Sequence, residues 1–197
     1  MPAVEKLMSN IRISDADLRW LQEKYTEGSE TPNMVISFGE EAKSNNAIAN
    51  LENQIYLYKM HTAFETPTLG LRAQNLHRSG RTIATPFSGV VPKNRCVVDL
   101  MSHLHKQSIK TIKVSVFGYT GATPSPEVTE TLIFDSCFII AMEPWSHGDF
   151  ATFAFTFVKF VWDLTDYDQK DNGSGISKKI GNRSYTFEFD KATGTLA

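Results

Sequence analysis

The sequence predicts a mainly β protein: a β-barrel of antiparallel sheets with one packed α-helix at about residues 94–106 and a short N-terminal helix. Three observations predict this fold class. Strand-favouring segments recur along the chain, a single central stretch has a clear helical apolar period, and the two longest strand segments carry large apolar residues on both alternating faces. A chain of 197 residues is long enough to bury a substantial core in one domain.

The first element is a short amphipathic helix at about residues 14–25. Ser14 and Asp17 have the spacing of a capping box, with Asp in the position where Glu or Gln is usual. The apolar residues that follow at i, i+3 and i+7 are Leu18, Leu21 and Tyr25. Residues 34–38 and 54–64 then favour strands, and the segment between them begins with turn-forming residues.

Residues 66–87 form a long extended loop or ribbon in this interpretation. Pro67, Gly70, Gly80 and Pro86 interrupt regular structure within this stretch. The same stretch carries four basic or imidazole side chains, here called the ribbon cations: Arg72, His77, Arg78 and Arg81.

The central helix follows Pro92 and Asn94. Its apolar stripe has a period of about 3.6 residues and consists of Val97, Leu100, Met101 and Leu104. The apolar side of this helix needs a sheet to rest on. A strand in which Ile112, Val114 and Val116 alternate with polar residues comes next and supplies part of that sheet.

The strongest strand signals lie at about residues 128–142 and 150–162. An antiparallel sheet with one face in water carries polar residues at every second position, and these segments do not. We therefore expect both faces to be covered. Because one helix covers only part of one face, either the strands close into a barrel or a second subunit covers the remainder.

The chain divides into three parts by composition. Residues 1–50 form an N-terminal extension with the short helix, and residues 51–165 form the barrel domain. Residues 166–197 form a C-terminal extension, which begins with a polar, Gly-containing connector and ends in an edge strand. In that strand, Tyr185, Phe187 and Phe189 alternate with polar residues.

Composition and charge exclude several function classes. No apolar run approaches the roughly 20 residues of a membrane helix, and the N-terminus lacks the pattern of a cleaved secretion signal. A formal net charge of -2 gives no general attraction to nucleic acid. Cys96 and Cys137 each sit in an apolar segment, which indicates two buried thiols in a chain that folds in a reducing cytoplasm.

Candidate chemistry is weak at every position, so we predict no enzyme, no catalytic residue, no cofactor and no metal. Ser146, His147 and Asp149 are too close in sequence to form a hydrolase triad and instead indicate a hairpin turn. His103 and Asp99 share a helix face without a third metal ligand. The acidic cluster at 166–171 lacks the glycine of a calcium loop, and the glycines at 173–175 lack a phosphate-loop pattern.

The order of elements resembles the haemolysin-coregulated protein (Hcp) family of type VI secretion tubes and, more distantly, contractile phage tail-tube proteins. The similar stretch runs from about residue 54 to 163. The segments that carry it are SGRT (79–82), TPF (85–87), LMSHL (100–104), IKVSV (112–116), LIFDSCF (132–138) and FTFVKFVW (155–162). In that family a basic loop leads into a Pro-Phe strand, one helix packs on the barrel, and the barrel ends in an aromatic strand.

The resemblance implies a structural subunit that forms stacked hexameric rings, with a surrounding contractile sheath and a tip or baseplate protein as partners. It implies synthesis in the cytoplasm and export through the machine without a cleaved signal peptide, or a place in a virion tail. The loop at 66–82 then reaches an adjacent subunit or ring, and Asp135 and Lys159 point towards a lumen or an interface. The alternative from another class is a ligand-binding or enzymatic barrel with a pocket lined by Phe153, Phe155 and Trp162.

Overall fold

The computed structural model describes residues 15–27, 32–39, 42, 53–65, 68–69, 77–78, 83–104, 109–118, 127–168, 178–188 and 193–196. The helices are α1 (Asp15–Gln22), a following π-helix (Glu23–Glu27), and α2 (Arg95–His103). The short strands of the first half are β1 (Met34–Ser37), β2 (Ile55–Tyr56), β3 (Lys59–His61), β4 (Phe64–Glu65), β5 (Thr68–Leu69), β6 (His77–Arg78) and β7 (Ile83–Ala84). The remaining strands are β8 (Phe87–Pro92), β9 (Ile109–Gly118), β10 (Glu127–His147), β11 (Phe150–Thr156), β12 (Lys159–Asp168), β13 (Lys178–Glu188) and β14 (Thr193–Leu196).

One long hairpin organises the sheet. β10 runs antiparallel first to β12 and then to β11, and a two-residue turn with Gly148 at φ 48° joins β10 to β11. The predicted turn at 146–149 is therefore confirmed. The hairpin bends in its middle, where Ser136 has φ 54° and the Val158 N–H donates to the Asp135 carbonyl at 3.0 Å.

The barrel wall forms around this hairpin. β9 pairs with the first half of β10, and β1 pairs with β9 and β2; β8 pairs with β11 and β3. The strand ladders alone leave the sheet open between β2 and β3. Two backbone hydrogen bonds bridge this gap, from Leu57 N–H to Met34 O (3.0 Å) and from Tyr58 N–H to Val90 O (2.9 Å). The mainly β, antiparallel fold class is confirmed; the strand ladders leave the barrel unclosed, and the segment 55–61 lies across the opening.

A sheet extension, here called the wing, leaves the barrel at β12. β13 pairs with β12 along its whole length, and β14 pairs with residues 185–188 of β13. The C-terminal edge strand expected at 183–189 is thus longer than predicted, and it is not the outermost strand. β14 has the sequence Thr-Gly-Thr-Leu, which is too short and too polar to show a strand period.

The core is a continuous aromatic cluster inside the barrel. Phe134 is fully buried, and its ring lies 4.9–5.2 Å from four other phenylalanine rings. Those rings belong to Phe87, Phe155, Phe157 and Phe160. Because β8, β10, β11 and β12 all contribute to this cluster, it joins both halves of the bent hairpin.

The predicted central helix is confirmed as α2. Cys96, Val97 and Leu100 are buried against the sheet, which places the predicted stripe on the core side. Asn94 is the N-cap, and its Oδ1 accepts a hydrogen bond from the Cys96 N–H at 3.0 Å.

Replacing Asn94 with alanine removes this cap. We expect Asn94→Ala to lower the free energy of unfolding by about 1 kcal/mol, since the helix then loses a partner for one of its first N–H groups. Asn94→Ser is the control, because a serine hydroxyl caps equally well. Urea titration followed by circular dichroism measures both; equal stability of the two variants would contradict the assignment.

The N-terminal helix covers part of the outer surface of the barrel. Leu21 of α1 is buried with Val90 and Phe150, and the Tyr58 ring contacts the rings of Tyr25 and Phe150 in edge-to-face geometry. The predicted helix at 14–25 is confirmed in position and in the burial of Leu21. Because α1 packs on the outer side of the barrel near Phe150, both the polar and the apolar residues of β11 are buried.

One subunit alone does not cover both faces of β10 and β12. Phe138 on β10 is 49% exposed and Trp162 on β12 is 40% exposed. The sequence expectation left such positions to closure of the barrel or to a second subunit, and their cover by a second subunit stays a prediction. The helices cover other parts of the sheet, so these two side chains keep contact with solvent.

Candidate assembly surfaces

Two of the four ribbon cations lie in the described part of the chain. His77 and Arg78 form β6, which pairs antiparallel with β5. Arg72 and Arg81 lie outside the described residues. Of the loop or ribbon predicted at 66–82, the structure describes residues 68–69 and 77–78, which pair as two short strands, and the inter-subunit role of its cations stays a prediction.

Phe64 fixes the base of this ribbon. β4 pairs with β7, and the Thr85 N–H donates to the Ala63 carbonyl at 2.8 Å. The Phe64 ring lies 5.0 Å from the Phe160 ring and 5.7 Å from the Phe187 ring. The start of the ribbon thus rests on the inner face of the wing.

Asp135 and Lys159 are direct partners across β10 and β12. They lie on the sheet face opposite to the core, in a polar row that crosses four strands. The Thr111 hydroxyl donates to Asp135 Oδ1 at 3.1 Å, and Lys159 Nζ lies 3.9 Å from Glu188 Oε1. The row gives these charges partners within the subunit, and their position towards a lumen or an interface stays a prediction.

A shallow apolar groove lies on the inner face of the wing. We call it the wing groove, and its lining residues are Trp162, Leu164, Arg183, Ser184 and Tyr185. Arg183 Nε forms an ion pair with Asp166 Oδ2 at 3.0 Å. The groove therefore has an apolar surface, and the charge of Arg183 at its side is balanced by Asp166 of the same subunit.

The barrel interior is filled by side chains. Phe153 and Phe155 are buried in the aromatic cluster, whereas Trp162 lies on the wing, so the pocket proposed for a ligand-binding barrel does not form around these three residues. In the described part of the chain, no group of three or more His, Cys, Asp or Glu residues is placed to hold a metal ion. Nor does any described helix have the length and apolar character needed to cross a membrane.

Both cysteines are free thiols buried in the core. Burial raises the pKa of each thiol from 9.0 to about 12; the nearby carboxylates of Asp99, for Cys96, and Asp135, for Cys137, add to the shift. The expectation of buried thiols is confirmed for both residues.

Thiol reactivity gives a direct test of this burial. We expect the native protein to resist alkylation at pH 8 while the urea-unfolded protein reacts at both thiols, because the thiolate is the reactive form.

The raised pKa values also predict a pH dependence of stability. The folded state keeps thiol protons that the unfolded state loses above pH 9, so the free energy of unfolding falls as pH rises from about 9 to about 12. A Cys96→Ala/Cys137→Ala variant should lose the part of this fall in the free energy of unfolding that the two thiols cause. Rapid alkylation of the native protein would contradict the burial of the thiols.

The fold defines the class first: an antiparallel β-barrel with a central helix and an N-terminal helix packed on it, and apolar side chains left on its surface. No protein-family model matches the sequence, and no curated protein matches it. Solved structures do match the fold. A type six secretion system protein superposes with a TM-score of 0.66 at 11% identity, over 84% of this chain and 100% of that chain.

Two further solved structures name the fold more closely. Hcp1 from Salmonella typhimurium matches with a TM-score of 0.58 at 8% identity, over 82% of this chain and 97% of its own. An Hcp protein matches with a TM-score of 0.55 at 17% identity, over 79% of this chain and 95% of its own. This chain therefore has the Hcp fold, as the order of its sequence elements predicted.

Proposed function

We propose that this protein is a structural subunit that assembles with copies of itself into stacked hexameric rings, which form the inner tube of a type VI secretion machine. The observation that carries the proposal is the fold match to a type six secretion system protein over 84% of this chain and the whole of that one. Large apolar side chains left on opposite faces of the sheet support self-association. The packed barrel interior supports a structural role over ligand binding.

The same proposal extends to partners and location. A tube of this kind is made in the cytoplasm, is enclosed by a contractile sheath and carries a tip or baseplate protein at its end. Export through the machine then needs no cleaved signal. The secretion machine is favoured over a virion tail because the matching solved structures carry type VI secretion and Hcp names.

Negative-stain electron microscopy of the purified, untagged protein tests the assembly. Rings or tubes with six-fold symmetry are the expected result. A stable monomer or dimer across a wide range of protein concentration would rule the proposal out.

The ribbon cations are proposed to contact an adjacent subunit or ring. Replacing all four with serine should lower the assembled fraction about tenfold, with a smaller salt dependence than the wild type, because charge contacts between subunits are lost. Lys110→Ser/Lys113→Ser on β9 is the control for a general loss of positive charge. Equal assembly of the two variants, measured by sedimentation, would remove the ribbon cations from the contact.

A further inference from the structure

The N-terminal helix packs next to the opening in the barrel wall. We call residues 55–61, which lie across this opening, the seam. The first residues of the seam pair with β1 and its last residues pair with β8. Between these pairs, the Leu57 N–H donates to the Met34 carbonyl at 3.0 Å and the Tyr58 N–H donates to the Val90 carbonyl at 2.9 Å. The wall therefore changes from one neighbouring strand to another within a single extended segment.

The helical residues 15–27, here called the clasp, are anchored on the wall beside the seam. Leu21 of α1 is fully buried and packs against Val90 of β8 and Phe150 of β11. β8 and β11 pair with each other from end to end, so Leu21 rests on two adjacent strands. One apolar side chain thus holds the clasp on the outer side of the wall.

The clasp also contacts the seam itself. The Tyr25 ring lies 5.0 Å from the Tyr58 ring in edge-to-face geometry. Asp17 Oδ1 lies 2.7 Å from Lys59 Nζ, and both side chains are about 40% exposed, so this ion pair adds orientation more than stability. The clasp therefore joins two consecutive seam residues to the strands on which Leu21 rests.

The anchor of the clasp is separate from the main core. Leu21, Val90 and Phe150 form a small cluster of their own, whereas Val91 and Ala151, the next residues along β8 and β11, belong to the core inside the barrel. None of the strand pairs among the described residues includes the clasp. A helix of eight residues is not stable alone in water, so its order depends on this small cluster. Elements with few buried contacts open at a lower free energy than the whole domain.

We propose that the clasp is a releasable device that stabilises the seam: it undocks while the rest of the barrel stays folded, and its undocking loosens the seam. When the clasp leaves, Val90 and Phe150 meet solvent, and Tyr58 and Lys59 lose their side-chain partners on it. The subunit then has two states, one with a closed seam and one with a loosened seam. This inference goes beyond the proposed function, because it concerns a single subunit and holds whether or not rings form.

A thiol placed under the clasp tests its release. Val90→Cys puts the thiol at a position that is fully buried, and the native thiols of Cys96 and Cys137 report opening of the core in the same chain. The protein is alkylated at pH 8 without denaturant, and peptide mass spectrometry gives the rate at each site. We expect position 90 to react about tenfold or more faster than the two core thiols. Equal rates at all three sites would overturn the proposal, since the clasp would then leave only when the barrel unfolds.

Two substitutions on the same helix identify the anchor. Leu21→Ala in the Val90→Cys protein should raise alkylation at position 90 by about tenfold or more, because it removes a buried side chain, and should leave the core thiols unchanged. Trp20→Ala is the matched control, because Trp20 is 54% exposed on α1. It should change the rate by less than about twofold. Equal acceleration by the two substitutions would overturn the docking through Leu21.

Hydrogen exchange tests the coupling to the seam without a new thiol. Leu21→Ala in the otherwise native chain should speed exchange about tenfold or more in peptides from residues 55–61, and peptides from β9 should keep their rates. Unchanged exchange in the seam would overturn the coupling. All proteins are compared at one concentration, because assembly adds to apparent stability. Sedimentation of the same samples separates the two proposals: a monomer with a releasable clasp removes the tube function and leaves this inference standing.

Discussion

Phe134→Ala is expected to lower the free energy of unfolding by about 3 to 5 kcal/mol, the usual range for a large aromatic residue removed from a packed core. Phe134 is fully buried, and its ring contacts four other phenylalanine rings, three on other strands and one in the connection between β11 and β12. The substitution opens a cavity at the bend of the long hairpin, where the surrounding strands have little freedom to collapse. Urea unfolding monitored by circular dichroism measures the loss.

The control lies on the same strand. Phe138→Ala removes the same group from a half-exposed position and should change subunit stability by no more than about 0.5 to 1 kcal/mol. Both variants are compared at one protein concentration, because assembly adds to apparent stability. A loss for Phe134→Ala as small as that for Phe138→Ala would contradict the described core.

Gly89→Ala is expected to destabilise the subunit by about 1 to 3 kcal/mol, a typical effect of adding a methyl group to a filled core. A Cβ atom at Gly89 lies 2.8 Å from Cζ of Phe153 and 2.9 Å from Cδ1 of Leu57. The Phe153 ring is held by the rings of Phe38 and Phe87 and has no free direction in which to move.

Gly181→Ala provides the matched control for this substitution. A Cβ atom at Gly181 meets no atom within 4 Å, and the residue lies in β13 on the wing. We expect no loss of stability there and a gain of up to about 1 kcal/mol, since alanine has less conformational freedom in the unfolded chain. Thermal unfolding measures the stability of both variants. Equal losses of stability for Gly89→Ala and Gly181→Ala would contradict the crowding at Gly89.

Patterns that act within one element predicted much of the fold. The period of Val97 and Leu100 identified α2, and its start after Pro92 and Asn94 was read from the sequence, because both signals are local to a few turns of helix. The alternation of polar and apolar residues identified β9, and the turn before Phe150 identified the junction of β10 and β11 in the long hairpin. The order of these elements was enough to predict the Hcp fold.

Features that depend on contacts between distant segments were not predicted in the same way. Trp162, Leu164 and Tyr185 occupy one parity of their strands in the sequence, but only the pairing of β12 with β13 brings them into one groove. The ion pair between Arg183 and Asp166 needs the same strand pairing. The exposure of Phe138 follows from where α1 and α2 pack, which the alternation along β10 does not encode.

The candidate site was predicted less well than the fold for the same physical reason. An assembly surface consists of ordinary apolar and charged residues, and no fixed spacing of reactive groups marks it in the sequence. The ribbon cations remain a prediction from residue type, whereas the wing groove required three-dimensional coordinates. Asp135 and Lys159, singled out as charges in apolar strands, prove to be cross-strand partners.

Sedimentation velocity of the untagged protein over a wide concentration range tests the central claim most directly. The account predicts a species with six times the mass of the 22.1 kDa chain, in equilibrium with longer stacks as concentration rises. A single species with the mass of one chain or of two at every concentration would contradict it.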